Sequence, residues 1–148
     1  MKRSKKVIVL ADDDKWLVDL YGEKLRLEGY EVHTAHNGKD GFDLVLESMP
    51  DLVLSDVVMA GGDGFYLLKK IKGTEQTKNI PVISLTNLSN EQDKKALYDI
   101  GTADYLVKAD FTPSQVVERI AKVLENDGSR AAKPAVTLMK KTKIAAKI

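Results

Sequence analysis

Apolar residues recur along the chain in two rhythms. Five short runs, at 7–11, 31–35, 52–55, 81–85 and 104–107, are apolar and partly β-branched. Three of them, VIVLA, LVLS and PVISL, are continuous rather than alternating, as strands buried on both faces of a parallel sheet must be. Between the runs the spacing becomes helical. Residues 16–28 interleave Leu17, Leu20, Leu25 and Leu27 with charges and stop at Gly29. Residues 39–47 carry Phe42, Leu44, Val45 and Leu46, and residues 64–72 carry Phe65, Leu67, Leu68 and Ile71. Residues 90–100 carry Ala96, Leu97 and Ile100 and stop at Gly101, glycine being a natural helix end. The last helical stretch, 113–125, opens Thr112-Pro113, an N-cap followed by proline at the first helical position. Its apolar positions 116, 117, 120, 121, 123 and 124 form one stripe.

Strand and helix thus alternate five times between residues 7 and 125. This order predicts an α/β fold with right-handed crossovers, a doubly wound parallel sheet and helices on both faces. In such sheets the functional site lies at the carboxyl ends of the strands, near the switch in strand order.

Composition narrows the class. The chain has 148 residues, 43% hydrophobic and 30% charged, which predicts one soluble globular domain. There is no cysteine, which removes disulfides, thiolate zinc sites and cysteine nucleophiles and fits a reducing cytoplasm. His33 and His36, three apart around a strand, point to opposite faces and make a poor shared metal site. The basic N-terminus precedes only five apolar residues before Asp12-Asp13-Asp14, too few for a signal peptide. No stretch approaches the ~20 apolar residues of a membrane span. Charge is uneven: residues 1–126 hold 17 Lys/Arg against 21 Asp/Glu, whereas 127–148 hold six against one. With the shift toward Ala, Lys and Ser, this places a domain boundary near Asp127-Gly128, with a 1–126 domain and a 127–148 basic tail.

The chemistry sits at the predicted strand ends. Strand 1 ends at Asp12-Asp13-Asp14, strand 3 at Asp56, strand 4 at Thr86 and strand 5 at Lys108. Each alone is unremarkable; a strand-end Asp is commonly a helix cap, a role that suits Asp14. Together they bring acids, a hydroxyl and an ammonium to one sheet edge. Crowded carboxylates repel unless a cation neutralises them. Oxygen ligands without His or Cys select Mg²⁺, with Mn²⁺ also possible. Metal, carboxylate, hydroxyl and ammonium together suit phosphoryl transfer onto a carboxylate.

These residues resemble the receiver domain of two-component response regulators. Residues 50–64, PDLVLSDVVMAGGDG, are similar to that family's phosphoacceptor segment with its D-x-x-M-P-x-x-D-G run. VLADDD at 9–14, IPVISLT at 80–86 and GTADYLVK at 101–108 resemble its first acidic strand end, its fourth strand and the approach to its lysine. The resemblance covers residues 5–125 and implies a flavodoxin-like (βα)5 doubly wound sandwich with a five-stranded parallel sheet. It implies that Asp56 takes phosphate from a sensor histidine kinase or histidine phosphotransfer protein. It further implies that Asp13 ligates Mg²⁺ directly and Asp12 mostly through water, with Asp56 and the backbone carbonyl of Val58 completing the protein ligands. Thr86 moves toward the phosphoryl group, Lys108 pairs with it, and Tyr105 matches the aromatic that turns inward on activation; a half-buried strand aromatic is the plain alternative. The implied protein is a signalling phosphoacceptor rather than an enzyme, acting in the cytoplasm. Its downstream protein would bind the face of the fourth helix, fifth strand and fifth helix, which carries Lys94, Lys95, Tyr98, Arg119 and Lys122.

The chain departs from the family pattern at Ala60 and Ala109, where proline is usual, and at Asn87, where a small residue is usual. A cis Lys108–Ala109 bond would cost about 2.5–4 kcal/mol against ~0.5–1 before proline. Val58 and Leu88, two after Asp56 and two after Thr86, are apolar and cannot orient a hydrolytic water, which predicts a slow autophosphatase. The segment 127–148 is too short for a DNA-binding domain; it reads as a flexible end, as a truncated linker, or as a short helix from Val136 that binds an acidic partner or anionic surface. Competing readings are a degenerate receiver signalling without phosphate, a relay carrier, and a haloacid-dehalogenase-like phosphatase. The last would need its nucleophile on strand 1 and a cap over the site.

Overall fold

The structure, a computed structural model, describes residues 4–59, 63–87 and 90–132, with side chains to residue 126. Ala60, Leu88 and the expected helix from Val136 lie outside the described residues. The order is β1 (Val7–Ala11), α1 (Lys15–Leu27), β2 (Glu31–Ala35), α2 (Gly38–Ser48), β3 (Leu52–Ser55), α3 (Gly64–Lys72), β4 (Val82–Thr86), α4 (Glu91–Ile100), β5 (Asp104–Val107) and α5 (Pro113–Ala132). A single 3₁₀ turn, Lys108–Asp110, joins β5 to α5. The five strands form one parallel sheet in the order β2-β1-β3-β4-β5. No described helix is long and apolar enough to cross a membrane.

The continuous apolar runs are explained by two cores, one on each face. Ile8, Leu10, Leu52, Leu54, Ile83 and Leu85 pack with Val18, Tyr21 and Leu25 of α1 and Val116, Ile120 and Leu124 of α5. Their strand neighbours Val9, Ala11, Val53 and Val82 turn the other way, onto Phe42, Val45, Leu67, Leu68, Ile71 and Leu97 of α2, α3 and α4. Successive strand side chains alternate faces, so a strand covered on both sides must be apolar throughout.

The helix caps share the carboxyl edge of the sheet. Asp14 accepts the N–H groups of Trp16 and Leu17, Asn37 that of Asp40, Asp63 that of Tyr66 and Asn90 that of Asp93. Thr112 and Gln115 close a reciprocal capping box at 3.2 and 2.9 Å. At the opposite end of α4, Gly101 has φ +130°, a conformation that a side chain disfavours. Two boundaries differ from the pattern-based expectation. β4 is shifted one residue, ending on Thr86 itself. α5 runs to Ala132 and crosses Asp127-Gly128, because one interior glycine costs a helix only about 1 kcal/mol.

On α1 the buried residues are Val18, Tyr21, Gly22 and Leu25, an i, i+3, i+4, i+7 set. Leu25 is 0% exposed, whereas Leu27, two positions on, is 79% exposed. Leu25→Ala is therefore expected to lose ~2–5 kcal/mol in urea denaturation, and Leu27→Ala to stay within about 0.5 kcal/mol of the parent. Comparable losses in both would contradict this assignment of the helix face.

Candidate functional site

β2 and β3 leave β1 on opposite sides, and the crevice opened by that reversal is where ligands bind in open α/β sheets. Asp12, Asp13 and Asp56 leave the sheet there. Their carboxylate oxygens lie within 4.8 Å of one another, at the base of an open cleft of about 380 Å³ that Val58, Thr86, Asn87 and Lys108 also line. Asp12 and Asp56 are 4% and 8% exposed, and Thr86 is 1% exposed; Asp13 is exposed.

Asp12 and Asp56 are each held from several directions. The Ala11–Asp12 peptide is pinned on both sides: the Asp56 N–H donates to Ala11 O at 2.9 Å and the Asp12 N–H to Ala35 O at 3.1 Å. Asp12 Oδ1 accepts the Asp14 N–H at 3.0 Å, and Oδ2 accepts from Lys108 Nζ at 2.9 Å. Asp56 divides its oxygens in the same way. Oδ1 takes the Val57 N–H at 2.7 Å and the Val58 N–H at 3.4 Å, while Oδ2 faces Lys108 Nζ at 3.2 Å.

The electrostatics follow from this crowding. Burial pushes the Asp56 carboxyl above the usual carboxylate range and the Asp12 charge pushes the same way; Lys108 and the Val57 N–H oppose without cancelling. Burial pulls the Lys108 ammonium down, but its hydrogen bond to Asp12 and the charges of Asp56 and Asp12 outweigh it, and its pKa ends above the ordinary lysine value. The oxygen-only donor set suits a hard divalent cation.

Six of the expected residues, Asp12, Asp13, Asp56, Val58, Thr86 and Lys108, thus meet in one cleft. Tyr105 does not. It lines a second cleft of about 210 Å³ with Asn90, Lys94 and Phe111, is half-buried and hydrogen-bonds the backbone of Asn90. On the same face Arg119 grips Asp104 through Nε and Nη2 at 3.0 and 3.1 Å and lies over the Phe111 ring. Lys95 pairs with Asp99 at 3.0 Å.

Three contributors escaped the sequence reading. The Ser55 hydroxyl donates to the Asp56 carbonyl at 2.8 Å. His36 Nδ1 sits 3.2 Å from the Asp12 carbonyl oxygen. Gly64 opens α3 and donates its N–H to Val57 O at 2.9 Å; a Cβ there would lie 2.7 Å from Val57 Cα and collide with the Asp56 carbonyl oxygen. Only Gly64 left a trace, as the last residue of the D-x-x-M-P-x-x-D-G run.

Comparison with known proteins agrees with this geometry. Residues 8–121 match the family model described as the response regulator receiver domain. The chain is similar to the receiver domain of Francisella response regulator 1452, at 28% identity over 82% of this chain and 98% of that one, with a TM-score of 0.75. It is also similar to the Vibrio cholerae chemotaxis protein CheY4, at 26% identity over 81% and 99%, TM-score 0.76. A CheY-like receiver domain protein from Methanospirillum hungatei, 24% identical over 86% and 99%, shares the fold at a TM-score of 0.80.

The raised Asp56 carboxyl has a measurable consequence. Below the ordinary carboxylate range both folded and unfolded chains hold this proton, and Asp56 is neutral to stability. As pH rises the unfolded chain loses the proton first, so the folded state loses stability until its own Asp56 ionises. Asp56→Asn is expected to melt above the parent at pH 7.5 in chelator, with the advantage shrinking as pH falls toward 4. A parent that melts at or above the variant at pH 7.5 would refute this account.

Proposed function

Since this chain belongs to the response regulator receiver domain family, we propose that Asp56 accepts a phosphoryl group from the phosphohistidine of a histidine kinase or histidine phosphotransfer protein, and that this changes what the chain binds. Receiver domains are signalling domains of two-component systems. The observation that carries the reading is the Lys108 ammonium held between Asp12 and Asp56, beside Asp13, at the switch point of the sheet.

The geometry suggests the division of labour. Asp56 Oδ1 is occupied by two backbone N–H groups, which leaves Oδ2 as the nucleophile. Its attack forms the P–O bond as the P–N bond to the donor histidine breaks, and the donor nitrogen keeps the electron pair. Lys108 Nζ, 3.2 Å from Oδ2, stabilises the transferred oxygens by an ion pair. The Thr86 hydroxyl, at the end of β4 and on the same cleft, supplies a further donor. Asp12, Asp13 and Asp56, with the Val58 backbone carbonyl, would hold Mg²⁺, whose positive charge offsets that of the phosphoryl oxygens. The phosphoacceptor unit spans 1–126, and the basic segment 127–148, whose first residues continue α5, is an appendage to it. The downstream protein binds the α4–β5–α5 face. Two cations of that face, Lys95 and Arg119, are already paired with Asp99 and Asp104, so Lys94 and Lys122 are the cations proposed to meet it, beside the exposed Tyr98 ring.

Incubation with acetyl phosphate and Mg²⁺ should give one phosphoryl adduct by intact mass, absent in Asp56→Asn. No adduct on the parent would favour a degenerate receiver, and turnover of a phosphate ester would favour a phosphatase. Millimolar Mg²⁺ should raise the parent's melting temperature, as a ligand that binds only the folded state does, and Asp13→Asn should lose most of that gain. Equal shifts in both would refute the metal assignment.

Val58 is 58% exposed on the wall of the cleft and has no group to orient water, so the aspartyl phosphate should decay slowly. Val58→Asn is expected to shorten its lifetime, followed by intact mass after removal of the donor. An unchanged lifetime would show that Val58 has no kinetic role.

A further inference from the structure

The acidic pair is useful only if Asp13 presents its carboxylate from the right direction. Asp13 and Asp12 are joined by one rigid peptide plane. The tilt of that plane, together with φ of Asp13, sets where the Asp13 Cα–Cβ bond points. The preceding plane, Ala11–Asp12, is anchored by β3 through the Asp56 N–H and by β2 through Ala35 O. The Asp12 side chain is anchored by the Asp14 N–H and Lys108. At the carbonyl of the Asp12–Asp13 plane stands His36, with Nδ1 3.2 Å from Asp12 O. His36 directly follows β2 and precedes Asn37, the N-cap of α2, so its backbone is tied to two elements.

We propose that His36 is a positioning residue for the cation site: its Nδ1–H donates to the Asp12 carbonyl and orients the Asp12–Asp13 peptide so that Asp13 faces the cation. The inference rests on the phosphoacceptor reading above and adds to it a residue that touches neither metal nor phosphate. The interaction needs a hydrogen on Nδ1, which a neutral imidazole can supply, so no charge on the ring is required. Groups that orient metal ligands from outside the coordination sphere typically change affinity by about 10- to 100-fold when removed. A single part-buried bond to a backbone carbonyl belongs at the lower end of that range.

The test is Mg²⁺ binding by the full chain, with MgCl₂ alone, followed by titration calorimetry at a fixed pH above neutrality. Three variants separate the donor from the ring. Asn carries Nδ2 one bond from Cγ, as His carries Nδ1, so His36→Asn keeps the donor and discards the ring. His36→Phe keeps a ring and discards the donor, and His36→Ala discards both. His36→Ala and His36→Phe should weaken Mg²⁺ binding about 10-fold, and His36→Asn should restore most of the loss. A packing role would instead be rescued by Phe and not by Asn. Parent-like affinity in the Ala and Phe variants, or an Asn variant no better than Ala, would overturn the proposal while leaving the phosphoacceptor reading intact. A parent that binds no Mg²⁺ and takes no phosphoryl group would overturn both.

Discussion

One ammonium set between two buried carboxylates is the constraint on which the site depends. Unit charges about 4 Å apart interact by ~4 kcal/mol at an effective dielectric of 20. Asp12, Asp13 and Asp56 are crowded to within 4.8 Å, so their like charges repel across the cleft. Lys108, at 2.9 and 3.2 Å from two of them, returns part of that energy. The arrangement is poised rather than relaxed, because a cation or phosphoryl group bound as proposed would compete for the same carboxylates and the same ammonium. A site of this kind responds to ligand by exchanging ion pairs.

The sheet makes the crowding possible. Parallel strands bring all five carboxyl ends to one edge, and the order β2-β1-β3-β4-β5 sets the ends of β1 and β3 side by side. Lys108 arrives from the far strand, and the 3₁₀ turn that begins on it aims its long side chain back across the ends of β4 and β3. Helix caps line the same edge. Acids that stabilise helix starts and acids that could hold a cation therefore occupy neighbouring positions, as Asp14 and Asp13 do.

Much of this was legible in the sequence. Continuous runs such as VIVLA can be buried on both faces only in a covered parallel sheet, and Asp56 and Lys108 stand where such strands end. Side-chain identity at a strand end is a local signal, and four such signals in order are hard to mistake. Leu27 was misleading because α1 winds it away from the core only two residues after Leu25. The end of α5 was misread because Asp127-Gly128 and a change in composition look like a boundary, whereas a helix can carry a single glycine. His36 and Ser55 left no sequence trace because each acts on a backbone carbonyl, a group every residue has. Tyr105 was recognisable as a half-buried aromatic, but its hydrogen bond to the backbone of Asn90 depends on how α4 lies on β5.

Gly64 has a consequence beyond mechanics. Its α-carbon lies so close to the Asp56 carbonyl that even a methyl group would displace the peptide carrying the proposed phosphoacceptor. Every coding change a glycine codon can undergo by one base either adds a β-carbon or ends translation. This position therefore has no conservative neighbour in mutational space. Selection on the carboxylate at residue 56 extends, through a contact that involves no side chain at all, to a codon eight places downstream.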